Sequence, residues 1–150
     1  MYKGQVGGYQ VDNDASPGVL YGRSGREGTL RVIDDKRFGR AILVNNRYLL
    51  GTSSGRWDEE RQTHIPMLLH PGPRTVAHIG SGTGITPGVV LRYAQVEKVI
   101  ALELAVQVPE AAALYFTEFN NGFNDDKRAS VLVQDGRTYI QSTVDAYNVM

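Results

Sequence analysis

Four glycines fall within "HIGSGTGITPGVV", residues 78–90, directly after the apolar run at 75–79. Glycine admits positive φ and lets backbone approach backbone or ligand closely, so this pattern marks a tight turn out of a buried strand. Thr86 reads as the cap of a following helix and Pro87 as its first position, with 89–93 continuing it. The rhythm then repeats. "KVIALE" (98–103) is a second apolar strand, 109–119 a helix closed by "NNGFNDD", and "SVLVQDG" a third strand ending at Asp135. Residues 138–141 offer a helical turn, and "AYNVM" begins a fourth strand. Strand and helix alternating in this way predict parallel βαβ units with right-handed crossovers.

The chain before "HPGPR" (70–74) follows a different pattern. Short apolar runs at 30–33, 41–44 and 47–50 are separated by Asp34-Asp35 and Asn45-Asn46, residue types that tolerate turn geometry. Residues 58–70 read as a helix with Ile65, Leu68 and Leu69 on one face and Pro66 at a kink or late start. The first 28 residues are rich in glycine and polar groups, and no element is assigned there. The resulting division is an N-terminal β-strand segment (1–57), a connecting helix (58–74) and a Rossmann-like nucleoside-binding domain (75–150).

Composition narrows the partners. The 16 basic and 16 acidic residues balance, which gives no support for nucleic acid or an anionic membrane surface. Without cysteine there are no disulfides or thiolate metal sites. No apolar run approaches the roughly 20 residues needed to span a bilayer, and "MYKGQVGGYQ" lacks the apolar core of a signal peptide. The expectation is a soluble, cytoplasmic chain.

In an open parallel sheet, ligands bind beyond the carboxyl ends of the strands. The glycine loop ends the first strand, Glu103 the second, and Asp135 with Gly136 the third. An acidic group at the second position can accept bonds from both ribose hydroxyls. A carboxylate at the third can accept from an adenine amino group, with Gly136 leaving room for the ring. Singly, each feature is equally a tight turn or a solvated strand end. Together they point to a nucleoside.

"GSGTG", "VEKVIALEL" and "VLVQDGRTYI…YNVM", with "WDEERQTHIPMLLHP" upstream, resemble the spermidine synthase family, the polyamine aminopropyltransferases. The likeness extends over about residues 28–150 and is strongest to a bacterial branch whose glycine motif reads G-x-G-T-G. It implies an α/β fold, a Rossmann-like sheet of the class I methyltransferase type, here incomplete, behind a small N-terminal β-segment. It implies that Gly80, Ser81, Gly82, Thr83 and Gly84 approach decarboxylated S-adenosylmethionine or methylthioadenosine. Glu103 would take the ribose, Asp135 and Gly136 the adenine, and His64 a place near the sulfonium; a helix-surface histidine is the alternative for His64. The nucleoside is a co-substrate rather than a tightly held cofactor, and a polyamine is the second partner. His70 and His78 have no role in the pattern and read as structural, and three histidines without paired spacing make no metal site.

Three departures qualify the resemblance. Thr83 stands where a family member carries the aspartate that helps hold the aminopropyl amine. Thr63 stands where a tyrosine is expected. The sequence stops inside the fourth strand, ahead of the family's catalytic aspartate, and Asp145 lies at the wrong end of that strand to replace it. No catalytic base is therefore assigned, and the expectation is a fragment with weak or no activity, its apolar edge suited to pairing as a homodimer. The competing readings are an S-adenosylmethionine-dependent methyltransferase, a non-catalytic nucleoside-binding module and, more remotely, a dinucleotide oxidoreductase.

Overall fold

A computed structural model describes residues 5–6, 9–10 and 18–150. Part of the unassigned N-terminal stretch (1–4, 7–8 and 11–17) lies outside these described residues. A two-stranded antiparallel pair, β1 (Gln5–Val6) and β2 (Tyr9–Gln10), precedes a four-stranded antiparallel sheet. That sheet consists of β3 (Gly18–Gly25), β4 (Gly28–Asp35), β5 (Gly39–Val44) and β6 (Tyr48–Thr52), each paired with its sequence neighbour.

The turn chemistry behaves as its residue types require. Asn45 and Asn46 both take positive φ, 55° and 52°, and close the hairpin between β5 and β6. Asp35 Oδ1 accepts from the backbone N–H of Arg37 (2.7 Å) and of Phe38 (3.2 Å), making an Asx turn between β4 and β5. Period-two alternation gives the sheet two apolar faces. Leu30, Val32 and Ile42 pack with Ala105, Val108, Ala111 and Phe116, while Ile33, Ala41 and Leu43 pack with Phe38 and Leu49. Strand β3 was not expected. Its residues are exposed except the half-buried Tyr21, so it leaves no burial pattern in the sequence.

Helix α1 (Arg56–Leu69) forms as expected but presents another face. Ile65, Leu68 and Leu69 are 55, 75 and 80% exposed, whereas Glu60, Thr63 and Met67 are buried. Two polar residues on the buried side hid that stripe from a hydrophobicity count, and both are satisfied. Thr63 Oγ1 donates to the Thr86 carbonyl (2.6 Å). Glu60 receives Arg56 Nε at 2.6 Å and Arg92 Nη2 at 2.8 Å. Burial alone would raise the Glu60 carboxyl, but the two guanidiniums outweigh it and hold it below the usual range. Pro66 lies inside the last turn without ending the helix, and the His70 N–H still reaches the Pro66 carbonyl.

The second sheet is parallel, in the order β7 (Thr75–Ile79), β8 (Lys98–Glu103), β9 (Ala129–Val133). Between β7 and β8 run α2 (Ile85–Val89) and a 3-10 turn (Val90–Arg92). Gly84 in the left-handed region, not Thr86, precedes α2, and Thr86 lies within the helix. The expected continuation through 89–93 tightens into the 3-10 turn. Helix α3 (Gln107–Tyr115) links β8 to β9 and starts and ends earlier than expected, and β9 ends two residues before Asp135. Helix α4 (Gly136–Ser142) follows. The expected fourth strand is reduced to its end. Val149 bridges Val76 in parallel on the free edge of β7, with the Ala77 N–H donating to the Val149 carbonyl at 2.9 Å. Asp145 lies 2.8 Å from Lys98 Nζ, at the amino end of β8, as the sequence implied.

The chain therefore turns outward from β7 in both directions, β8 on one side and the terminal segment on the other. A crevice at the carboxyl ends is the geometric consequence.

Candidate functional site

A cleft of about 750 Å³ opens at that crevice. Its walls are the carboxyl ends of β7 and β8, the glycine loop, the inner side of α1 and the last strand of the antiparallel sheet. Of the residues expected at the site, Gly80, Ser81, Gly82 and Glu103 line it. The loop is fixed partly by contact with the rest of the chain. A Cβ on Gly82, at φ 50°, would stand 3.2 Å from the Leu50 carbonyl, so β6 presses directly on the loop. A Cβ on Gly88 would stand 2.0 Å from the Asn120 carbonyl oxygen. A Cβ on Gly80, by contrast, would meet nothing within 4 Å. Much of the glycine content thus serves internal packing, and open space adjoins the first glycine.

Glu103 ends β8 with its carboxylate held against the loop. Oε2 accepts from the Ser81 N–H (2.9 Å) and the Ser81 hydroxyl (3.1 Å), and Oε1 accepts from the Ala105 N–H (3.2 Å). Asp135 and Gly136 are next to this cleft rather than in its wall. The exposed Asp135 caps α4 by accepting from the Thr138 N–H (2.7 Å), a bond that also holds its carboxyl below the usual range. A Cβ on Gly136 would meet Ile79 at 3.0 Å, and Ile79 is a cleft residue, 65% exposed.

Gly84 packs against Asn120 outside the cleft wall. His64 also lies outside it, with Nδ1 2.7 Å from the Tyr93 hydroxyl and the two rings tilted at 5.8 Å.

Sequence reasoning missed two residues of the cleft. Glu59, one turn into α1, accepts the Thr52 N–H at Oε1 (3.0 Å) and the Thr83 hydroxyl at Oε2 (2.6 Å). Burial pushes its carboxyl up despite these bonds. The buried Thr83 thus points at α1, and its hydroxyl ties the glycine loop to that helix. His78, read as structural, faces the cleft from β7. Its Nε2 is buried without a hydrogen-bond partner, and burial lowers its pKa to about 4. A polar residue within an apolar strand was the available signal for His78. For Glu59 the only signal was an acidic residue among several. Among the described residues no group of His, Cys, Asp or Glu is arranged to hold a metal ion, and no helix is long and apolar enough to cross a membrane.

Residues 57–150 match the spermine/spermidine synthase domain. The polyamine aminopropyltransferase of Streptococcus pneumoniae serotype 4 is 28% identical over 131 residues, 87% of this chain and 46% of that protein. The polyamine aminopropyltransferase of Methanocaldococcus jannaschii is 30% identical over 132 residues, 88% of this chain and 45% of that protein. The chain thus spans about half the length of these relatives. Among solved structures, a spermidine synthase in complex with the transition-state analogue AdoDATO superposes with a TM-score of 0.78 at 29% identity. That match covers 86% of this chain and 44% of the other. A spermidine synthase from Thermotoga maritima gives the same values. The parallel sheet, the glycine loop at its switch point and the antiparallel sheet in front of it are those of this family's methyltransferase-like fold, and the chain belongs to the spermine/spermidine synthase family.

Proposed function

We propose that this chain carries the nucleoside-binding part of an aminopropyltransferase, whose co-substrate is decarboxylated S-adenosylmethionine and whose acceptor is a polyamine. The observation that carries this reading is the fixed Glu103 carboxylate at the crevice end of β8, beside the open backbone of Gly80. Three donors from the chain orient it in the cleft wall, and a carboxylate has further lone pairs with which to accept from a vicinal diol. The exposed apolar side chains of Ile79 and Leu104 flank this point and offer a surface for a purine ring. Asp135 and Gly136 are assigned to the adenine edge. Gly80, Ser81 and Gly82 are assigned to the thioether side, with Thr83 and Gly84 supporting the loop.

In the reaction, the free base of an amine attacks the propyl carbon bound to the sulfonium. The carbon–sulfur bond breaks, its electron pair stays on sulfur, and methylthioadenosine leaves. What this part of the protein contributes is the position of the sulfonium. Asp145 is not the base, since it is paired with Lys98 at the opposite end of the sheet. The division at 1–57, 58–74 and 75–150 belongs to the same proposal, as does a cytoplasmic place in polyamine synthesis.

Calorimetric titration of the full chain with methylthioadenosine, S-adenosylhomocysteine and NAD tests the reading. Methylthioadenosine should bind best, and Glu103→Ala should weaken it by about 1–3 kcal/mol, the loss expected for a charge-assisted hydrogen bond. Thermal melting of the variant separates this loss from unfolding. A preference for S-adenosylhomocysteine would move the assignment to methyl transfer, and no binding by the folded chain would overturn it.

A further inference from the structure

The cleft wall includes three carboxylates, Asp58, Glu59 and Glu103, and no lysine or arginine. Two of the three are accounted for. Asp58 pairs with Arg61 at 2.8 Å, and Glu103 is held by Ser81 and Ala105. Glu59 is different. It is half-buried, it takes one backbone N–H and one hydroxyl, and among the described residues no cation is paired with it. A carboxylate that has lost part of its hydration and gained no countercharge is costly, unless a ligand brings the charge.

The place is also built for this side chain. A Cβ on Gly51 would stand 2.7 Å from both Glu59 Oε1 and Thr83 Cγ2, so the bare backbone of β6 makes the room. His78 gives a separate sign that the cleft receives a ligand, since its Nε2 is buried there without a partner.

Resting on the nucleoside reading, we propose that Glu59, positioned by Thr83, binds the terminal ammonium of the aminopropyl arm and so sets the preference for a co-substrate lacking an α-carboxylate. The charge comes from helix α1, and the glycine loop contributes only the hydroxyl that orients it. A ligand with a carboxylate beside its ammonium brings a like charge into a cleft that has no lysine or arginine to receive it.

Three thioethers separate the terms when titrated into the full chain. Methylthioadenosine carries no ammonium, S-adenosyl-3-thiopropylamine carries one, and S-adenosylhomocysteine carries an ammonium and a carboxylate. The aminopropyl thioether should bind at least about tenfold more tightly than methylthioadenosine, as a charge-assisted contact implies. It should also bind more tightly than S-adenosylhomocysteine. Glu59→Gln should bring the aminopropyl thioether and methylthioadenosine to about the same affinity. Thr83→Val, which leaves the carboxylate but removes its orienting hydroxyl, should shrink the advantage by about threefold or more, and it carries the test alone should Glu59→Gln fail to fold. An advantage that survives in the folded variants overturns the role of Glu59 and leaves the nucleoside site standing. Failure of all three ligands to bind the parent chain overturns the nucleoside site itself.

Discussion

Acidifying the protein from pH 7 to pH 5 is expected to cost about 2 kcal/mol of folding stability through His78. The imidazole has an ordinary pKa of 6.5 and a folded value lowered to about 4, because burial disfavours its charged form and Nε2 has no acceptor to meet. A depressed histidine favours the fold only while it is neutral. Its contribution is therefore complete above pH 6.5 and is lost as the pH falls from there towards 4. At pH 5 the unfolded chain holds this proton almost fully and the folded chain hardly at all, which yields the figure of about 2 kcal/mol; the whole shift corresponds to about 3.4 kcal/mol. Other groups stay distinguishable. The carboxyls of Glu60, Glu97 and Asp126 are lowered, so they withdraw stability only as the pH falls through and below the ordinary carboxylate range. Glu59, with its carboxyl raised, works in the opposite direction and adds stability on acidification. The measurement is urea unfolding followed by circular dichroism at several values between pH 7.5 and 5, for the parent and for His78→Leu. The parent should lose about 2 kcal/mol more than the variant over this interval. Parallel stability curves would refute the reasoning, because they would mean that His78 is hydrated or paired in the folded state.

Two further predictions concern packing. Gly88→Ala should cost about 3 kcal/mol or more, since its methyl would meet the Asn120 carbonyl at 2.0 Å with backbone on both sides. Gly22→Ala, where nothing lies within 4 Å, should stay within about 1 kcal/mol, and thermal melting of the pair reads the contrast. Met67→Ala should cost about 2–5 kcal/mol and Leu68→Ala about 0.5 or less in urea unfolding, because the first is 2% exposed and the second 75%. The reverse order would mean that α1 packs through its apolar stripe after all.

That helix shows where sequence reasoning succeeds and where it stops. The strands β4, β5, β7 and β8 were legible because their apolar residues alternate or run together, and Asn45-Asn46 announced its hairpin by residue type alone. In α1 the same logic chose the wrong face. Its buried side carries Glu60 and Thr63, whose cost is offset by Arg92 and by the Thr86 carbonyl, partners 32 and 23 residues away in sequence. No local window contains those partners. The site divides in the same way. Glu103 and the glycine loop follow from strand-end position, a local property, and the structure joins them through Ser81. Glu59 depends on Thr52 of β6 and above all on Thr83 in the loop, 24 residues away, and so it could not be singled out from the acidic run in which it lies.

The contact between β6 and the glycine loop has a consequence for how the site is assembled. The Leu50 carbonyl rests against Gly82, Gly51 leaves space for Glu59, and the Thr52 N–H holds the Glu59 carboxylate. Three consecutive residues of the antiparallel sheet therefore form one wall of a cleft whose floor is the parallel sheet. Each is constrained at the backbone, so the wall is set by the hairpin that begins at Asn45-Asn46 rather than by exchangeable side chains. If β6 were released, Gly82 would lose its neighbour and Glu59 the Thr52 N–H, while the loop would keep its Ser81 bonds to Glu103 and the Thr83 bond to α1. The ordering of the cleft and the placement of the antiparallel sheet are thus one property of the fold. The sheet in front of the Rossmann-like layer supplies one wall of the cleft.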